Sequence, residues 1–312
     1  MYTNKTENNI ASSQSPFHLE EHWSIQIENH NRNCTHTEID ILLSKGILNH
    51  IDFEIIKLLG RCKYINTRNI TIAMSYILPP AYQKEDYSRN LKKLVNAGIL
   101  LRHYITLADC DTPHTPISPL RFYSLSAGAH SYIAEFLDSS SNPSAFLSDV
   151  QIIESLAASQ FMIQLRASQD LQITNCHQLV IRKVCNTALL IPAECYIRTR
   201  SQKPPFRLFL LCGRSRQDSL TNVVKTCSIF LKHLNARDDQ SYPYLIIILL
   251  ESIHDISVVH KRISMQSSYF NLSLLYYTTD NTICTESFWH SLYQCAESDG
   301  FISITRVKLS PV

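Results

Sequence analysis

Residues 85–104 read EDYSRNLKKLVNAGILLRHY, a helical pattern that passes directly into a strand pattern. Four apolar residues recur at intervals of three or four, the spacing of one face of an α-helix: Tyr87, Leu91, Leu94 and Val95. Gly98 stands where such a helix would end, because glycine adopts the conformation of a helix terminus at little cost. Three basic residues fall on the other side of the predicted helix: Arg89, Lys92 and Lys93.

The segments around this stretch complete a small helical unit with a hairpin. We predict, in chain order, helices over 51–62, 68–78 and 85–97, strands in GILLRHYITL and RFYSL, and a helix over 126–137. Thr67 can cap the second helix, and the Pro79-Pro80 pair ends it. Three helices, a two-stranded hairpin and a final helix are the order of a winged helix-turn-helix, which we place at residues 46–138.

A second unit follows the polar segment DSSSNPS, which has the composition of a linker and which we place at 139–147. We assign residues 148–312 to a second, α/β domain. Its predicted elements are a helix over 148–165, strands around His177–Val184, Leu189–Arg198 and Phe206–Gly213, a helix over Ser219–Asn235, a strand over 244–251, a helix near Ile256–Met265, a strand over 272–279, a helix over Glu286–Cys295 and a strand over 301–307. This order implies a mixed central sheet with helices on both faces.

Composition limits the class of protein. The chain is 45% hydrophobic and 18% charged, as in globular proteins, and its formal net charge is only +2. Any basic partner surface must therefore come from local clustering of charge. Residues 1–45 are polar with little periodicity, so we predict a flexible polar arm with one short helix over Pro16–Gln26.

Neither the N-terminus nor the cysteines indicate a secreted or membrane protein. The N-terminus has no apolar segment of the secretory type, and the longest apolar run, YLIIILL at Tyr244–Leu250, is too short to span a bilayer. The ten cysteines are scattered and none forms a C-x-x-C pair, so neither a zinc ribbon nor a redox motif is indicated. We expect a reduced, cytoplasmic protein with no membrane partner.

The basic side of the 85–97 helix is what recognition in the major groove requires. Arg and Lys reach phosphates, and Arg, Asn and Ser can also contact base edges. The predicted DNA-binding residues are Ser88, Arg89, Lys92, Lys93 and Asn96 on the helix, with Arg102, His103 and Arg121 on the hairpin. A solvated helix face is the alternative, and a winged helix can also be a protein-binding module.

Motifs for catalysis or metal binding are weak. HLEEH at residues 18–22 matches H-x-x-E-H, but it lies in the predicted arm, where nothing fixes a third ligand. GRSRQDS has one glycine and lacks the ending of a phosphate-binding loop. No nucleophile stands beside a base with an orienting third group. We therefore expect no catalytic residue, no metal and no cofactor.

The chain resembles the replication-relaxation family of bacterial plasmid and mobile-element proteins. The resemblance lies in the segments IDFEIIKLLGRCKYINTRNIT, YSRNLKKLVNAGILLRHY, LRFYSLSAGAHSYI and LIPAECYIRT…FRLFLLCGRSRQDSLTNVVKTCSIFL. It implies a winged helix followed by a restriction-endonuclease-like domain. That nuclease fold binds Mg²⁺ through two carboxylates, but the matching positions here are Ala193, Leu211 and Gly213, with Glu154 and Glu194 nearby.

Together these observations predict a non-enzymatic DNA-binding protein of a plasmid or mobile element. Its partners would be double-stranded DNA and either a second copy of itself or the replication or transfer machinery. Two alternatives stay open. One is a metal-dependent nuclease that uses Glu154 and Glu194, and the other is a protein-binding scaffold with no affinity for DNA.

Overall fold

The described residues of the protein form an α+β fold with one four-stranded and one seven-stranded sheet. A computed structural model describes residues 15–20, 22–28, 33–83, 86–107, 120–137, 147–168, 171–184, 186–199, 205–235, 243–266, 272–298 and 301–307. None of the helices in these ranges is long and apolar enough to cross a membrane.

The N-terminal part of the chain alternates helices with short strands. Its elements are β1 (Trp23–Ile27), α1 (His36–Ser44), α2 (His50–Cys62), β2 (Ile65–Asn66), α3 (Thr67–Ile77), a 3₁₀ turn (Pro80–Tyr82), α4 (Ser88–Asn96), β3 (Leu100–Leu107), β4 (Phe122–Leu125) and α5 (Ala127–Ala134). From α2 onward the predicted helices and strands of this region are confirmed, with ends that differ by a few residues. The strands form an antiparallel sheet in the order β1-β3-β4-β2.

Side-chain caps set where the helices begin. Asn49 caps α2 through a capping box with Asp52, in which each side chain accepts from the other residue's backbone N–H. Asn66 caps α3 by accepting from the backbone N–H of Asn69 at 2.8 Å. The prediction that Thr67 caps this helix is wrong by one residue, because Thr67 is already in the first helical turn.

The first residues of the chain are not a free arm where the structure describes them. Trp23–Ile27 forms strand β1, which pairs with β3 from Trp23↔Leu107 to Ile27↔His103, so the predicted helix over 16–26 is wrong. Phe17 and Leu19 are 1% and 2% exposed and pack in the core. The pairing partner of β1 lies about 80 residues along the chain, which local periodicity does not reveal.

The C-terminal part builds the larger sheet. Its elements are α6 (Asp149–Ala167), β5 (Leu171–Val184), β6 (Thr187–Thr199), β7 (Phe206–Cys212), α7 (Gln217–Asn235), β8 (Tyr244–Leu250), α8 (Ile253–Gln266), a 3₁₀ turn (Leu272–Leu274), β9 (Leu275–Thr279), α9 (Asp280–Thr285), a 3₁₀ turn (Phe288–His290), β10 (Leu292–Ser298) and β11 (Phe301–Val307). The sheet order is β11-β10-β9-β8-β7-β6-β5. Strands β7, β8 and β9 run parallel, and the other neighbours are antiparallel.

The predicted mixed sheet with helices on both faces is confirmed. One face packs against α6 and the other against α7 and α8. Helices α7 and α8 connect β7 to β8 and β8 to β9. Both lie on one face of the sheet because these parallel strands are adjacent and follow one another in a single direction across it.

One helix of this region was predicted wrongly. Residues 286–295 contain a 3₁₀ turn and the start of β10, which forms a hairpin with β11. Phe288 and Leu292 are spaced by four and both are buried, which imitates the period of a helix. The two side chains in fact enter the core from different elements, one from the turn and one from the strand.

Helix α6 joins the two parts. Its Phe161 and Leu156 share a core cluster with Ile105 and Phe122 of the smaller sheet. The Ser159 hydroxyl lies 2.6 Å from the carbonyl of Tyr64 and can donate to it. The predicted linker at 139–147 lies outside the described residues except for Leu147.

Gly128, near the start of α5, touches the backbone before α1. A Cβ atom at this position would lie 1.9 Å from the carbonyl oxygen of Cys34. We expect Gly128→Ala to lower the free energy of unfolding by about 1–3 kcal/mol, because backbone must move to admit the methyl group. At Gly60 a Cβ would meet only side-chain atoms of Leu137 and Ile133, so Gly60→Ala is the comparison and should cost less. Thermal denaturation measures both, and equal melting temperatures for Gly128→Ala and wild type would contradict the close approach.

Candidate nucleic-acid interface

Helix α4 has one buried and one exposed side, as the sequence predicts. Tyr87, Leu91, Leu94 and Val95 are at most 7% exposed, and Gly98 ends the helix region with a φ of 73°. The exposed residues of this helix are Ser88, Arg89, Lys92 and Asn96, which we call the α4 surface. Arg89 and Lys92 have no ion-pair partner among the described residues, so their charges are available to a ligand.

The first turn of α4 has its own local order. Asp86 accepts from the backbone N–H of Ser88 at 2.8 Å and also from the Ser88 hydroxyl. These hydrogen bonds, with a smaller effect from the Arg89 charge, lower the pKa of Asp86. Ser88 therefore has its hydroxyl proton engaged, and its oxygen remains as an acceptor.

Lys93 is held inside the N-terminal unit. Its ammonium group pairs with Asp52 of α2, whose side chain is 0% exposed, and donates to the carbonyl of Ile47 at 3.1 Å. Asn90 donates to the same Asp52 carboxylate at 2.7 Å. The structure thus separates Lys93 from the predicted DNA-binding set, because its charge neutralises a buried carboxylate and fixes α4 on α2.

The three hairpin residues of the predicted site have different surroundings. His103 is 4% exposed, stacks on Phe122 with ring centroids 5.0 Å apart, and lies 2.8 Å from the Ser124 hydroxyl through Nε2. The structure therefore places it in the core, where it cannot reach DNA. It faces inward because its partner in the strand register is Phe122 of β4, which is itself in the core.

Arg102 and Arg121 lie nearer to the surface. Arg102 forms an ion pair with Glu28, which follows β1. Arg121 is exposed and lines an open cleft of about 750 Å³ together with Arg68. Arg68 is the second residue of α3, and its sequence position far from α4 did not mark it as part of a site.

The second sheet contains the two carboxylates considered for a nuclease site. Glu194 of β6 is 0% exposed and accepts from Arg182 through two hydrogen bonds of 2.8 Å and from Arg207 at 2.6 Å. Cys195, the next residue, packs against Met162 of α6. Because neighbouring side chains of a strand point to opposite faces, the Glu194 side chain lies on the face of the sheet away from α6. Glu154 lies on α6 itself. The two carboxylates are thus on opposite faces of the sheet and cannot share a metal ion.

A further buried cluster lies where the parallel strands end. Arg214 follows β7 and forms an ion pair with Asp280 at 2.7 Å, and both side chains are at most 1% exposed. Desolvation lowers the pKa of Arg214, but the charges of Asp280 and Glu251 outweigh it, so the pKa is raised and the guanidinium stays charged. Asp280 and Glu251 each come directly after an apolar strand, a sequence signal that would have found them.

The N-terminal segment covers this cluster. The hydroxyl of Ser15 donates to Asp280, and His18 Nδ1 lies 2.7 Å from the Glu251 carboxylate. The HLEEH motif therefore contributes His18 to an ion pair with Glu251. Among the described residues no group of three or more His, Cys, Asp or Glu side chains could hold a metal ion.

Comparisons with protein-family models, curated proteins and solved structures find no match to this chain.

Lys92 and Lys93 are adjacent but should differ in their effect on stability. We expect Lys93→Ala to lower the free energy of unfolding by roughly 1–3 kcal/mol, because it removes a charged hydrogen bond from buried Asp52. Lys92→Ala, the matched control, should change it by less than about 0.5 kcal/mol, because Lys92 is exposed. Urea denaturation monitored by circular dichroism measures both, and equal effects of the two substitutions would refute the structural role of Lys93.

Glu154 should make stability depend on pH. Burial raises the pKa of Glu154 from 4.5 to about 7, although the Ser219 hydrogen bond of 2.6 Å and the Arg214 charge lower it. Between pH 4.5 and about pH 7 the Glu154 carboxyl group loses its proton in the unfolded chain but keeps it in the folded protein. The free energy of unfolding therefore falls as pH rises through this range. The loss is complete above pH 7 and amounts to roughly 3 kcal/mol at most.

Glu154→Gln removes this titration while keeping an acceptor for Ser219. The variant should gain stability relative to wild type as pH rises from about 4.5 to 8, as measured by urea denaturation at each pH. Asp218→Asn is the control, since it removes a nearby carboxylate whose side chain is 68% exposed. A constant difference between Glu154→Gln and wild type over this range would show that Glu154 does not retain its proton.

Proposed function

We propose that this protein is a non-enzymatic DNA-binding protein of a plasmid or mobile element. It would place α4 in the major groove of duplex DNA, with the β3–β4 hairpin beside it as the wing of a winged helix-turn-helix. The observation that carries the proposal is the α4 surface, defined above as Ser88, Arg89, Lys92 and Asn96. The resemblance to the replication-relaxation family supports the same reading.

The chemistry of the α4 surface suits a nucleic acid. Arg89 can contact a phosphate or a guanine edge, Lys92 a phosphate, and Asn96 an adenine edge. Arg89 and Lys92 are three residues apart, so they lie on neighbouring turns of one helix face. The opposite face is fixed to α2 through Asn90 and Lys93, which holds the reading side in one orientation.

The second sheet would then act as an inactive nuclease-like domain that contacts a partner. Two observations support this reading. Glu194 is neutralised by Arg182 and Arg207, and Glu154 is on the other face. The partner would be a second copy or the replication or transfer machinery. The edge strand β11, whose Phe301 is 80% exposed, is the surface that we propose for this contact.

The test compares two charge-matched double variants. Arg89→Ala/Lys92→Ala removes the two exposed charges of α4, and Lys225→Ala/Lys232→Ala removes two exposed charges of α7. Fluorescence anisotropy with labelled fragments of the DNA that neighbours the gene measures affinity over a range of salt concentrations. We expect the α4 variant to lose at least about tenfold in affinity and up to about two units of salt slope, while the α7 variant keeps both.

Lys93 is left intact in this test because its loss would weaken the fold. Absence of salt-sensitive binding by the wild type at low salt would overturn the proposal and favour the protein-binding scaffold. Mg²⁺-dependent cleavage of the DNA that disappears in Glu154→Gln would instead favour the nuclease. Equal losses in the α4 and α7 variants would show a general electrostatic effect.

A further inference from the structure

Two cysteines face each other across neighbouring strands of the large sheet. Cys176 of β5 and Cys195 of β6 are directly paired in the antiparallel register. Their sulfur atoms are 3.9 Å apart, and Met162 Sδ of α6 lies 3.7 Å from Cys176 Sγ and 3.2 Å from Cys195 Sγ. The described cysteines are all free thiols. This pair is therefore reduced but already in contact.

The backbone positions suit a disulfide bond. Directly opposed residues of antiparallel strands have Cα atoms about 4.5 or 5.5 Å apart, and both spacings fall within the range of about 4.4–6.8 Å that disulfides span. The sulfur atoms would have to approach by roughly 2 Å to reach bonding distance. Because both side chains start from paired positions, rotation about their χ1 angles can supply this movement without a shift of the strands.

The two thiols differ in access and in charge. Cys195 is 0% exposed, whereas Cys176 is half-buried and lines an open cavity of about 580 Å³ with Arg61 and Arg166. A hydrogen bond from Cys195 and the charge of Arg166 lower the pKa of Cys176, against the effect of its burial. Burial raises the pKa of Cys195.

The other described cysteines lack this combination. Burial raises the pKa of Cys62 and of Cys227 to about 12, and that of Cys284 to about 11. An oxidant reacts with thiolates that it can reach. Cys176 is thus the thiol in the described part of the chain that combines basic neighbours, an open approach and a second thiol in contact.

We infer that Cys176 and Cys195 form a peroxide-sensitive modification site, in which Cys176 reacts with a hydroperoxide and Cys195 resolves the product. In the first step the Cys176 thiolate attacks one peroxide oxygen, the O–O bond breaks, and Cys176 becomes a sulfenic acid while hydroxide leaves. In the second step the Cys195 sulfur attacks the sulfenic sulfur, and a disulfide forms. The displaced hydroxyl takes up the Cys195 proton and leaves as water. Each peroxide oxidises two thiols by two electrons in total.

The experiment treats the full-length protein with hydrogen peroxide near stoichiometric concentration, blocks remaining thiols with iodoacetamide, and maps tryptic peptides by mass spectrometry. We expect a linked product that joins peptide 167–182, which contains Cys176, to peptide 184–198. The second peptide contains both Cys185 and Cys195, so fragment ions must locate the bond. The linked product should be absent in Cys195→Ala, where dimedone should trap a sulfenic acid at Cys176.

A surface variant tests the charge effect without disturbing the core. Arg166 is exposed, so Arg166→Gln should leave the fold intact. It should slow peroxide oxidation of Cys176 by roughly tenfold, because loss of the nearby positive charge lowers the thiolate fraction. Cys227→Ser is the matched control for loss of a buried thiol on α7 and should leave the linked product unchanged.

Three outcomes would overturn the inference. The first is oxidation of Met162 to the sulfoxide without any linked peptide. The second is a bond between Cys176 and Cys62, since that would make Cys62 the resolving thiol. The third is dimedone labelling of Cys176 no faster than that of Cys284, whose exposure is also intermediate.

Discussion

Helix α6 buries side chains on every side, and both sheets depend on its position. A helix that is buried on every side must be enclosed by other elements, and here these are α2, α3, α9 and strands of both sheets. Phe161 meets Phe288 edge to face, with ring centroids 5.9 Å apart. The Ser159 hydroxyl lies within 2.8 Å of the carbonyls of Cys62 and Tyr64, between α2 and β2. Helix α6 contacts α2, and α2 contacts α4, so the orientation of the α4 surface depends on the position of α6.

A second buried group, Asp52, pairs with one of the three basic side chains of α4. Its carboxylate accepts from the backbone of Asn49 at 2.8 Å, from Asn90 at 2.7 Å and from Lys93, so one side chain both begins α2 and positions α4. A buried carboxylate without such partners would cost several kcal/mol. The sequence shows three basic residues on this helix, but in the fold Lys93 pairs with Asp52 while Arg89 and Lys92 are exposed.

Local patterns predicted most of the elements but not the partners of individual side chains. The spacing of apolar residues in α4 and the continuous apolar sequence of β8 are local patterns, and each predicts which side chains of its own element are buried. Strand β1 depends on its pairing with β3, and the position of His103 depends on the pairing of β3 with β4. The surroundings of Glu194 depend on arginines from two neighbouring strands. Such contacts join residues distant in the chain. The same holds for Cys176 and Cys195, which have no motif spacing and meet because of strand register.

Three buried carboxylates of the C-terminal part have different surroundings. Glu194 has two arginines, and Asp280 has Arg214 and the Ser15 hydroxyl. Glu154 has a hydroxyl donor from Ser219 and a more distant guanidinium, so desolvation dominates and it keeps its proton near neutral pH. Arginine side chains thus lie against both Glu194 and Asp280. Ser15 and His18 contact Asp280 and Glu251, so the side chains at the ends of the parallel strands also hold the N-terminal segment against the sheet.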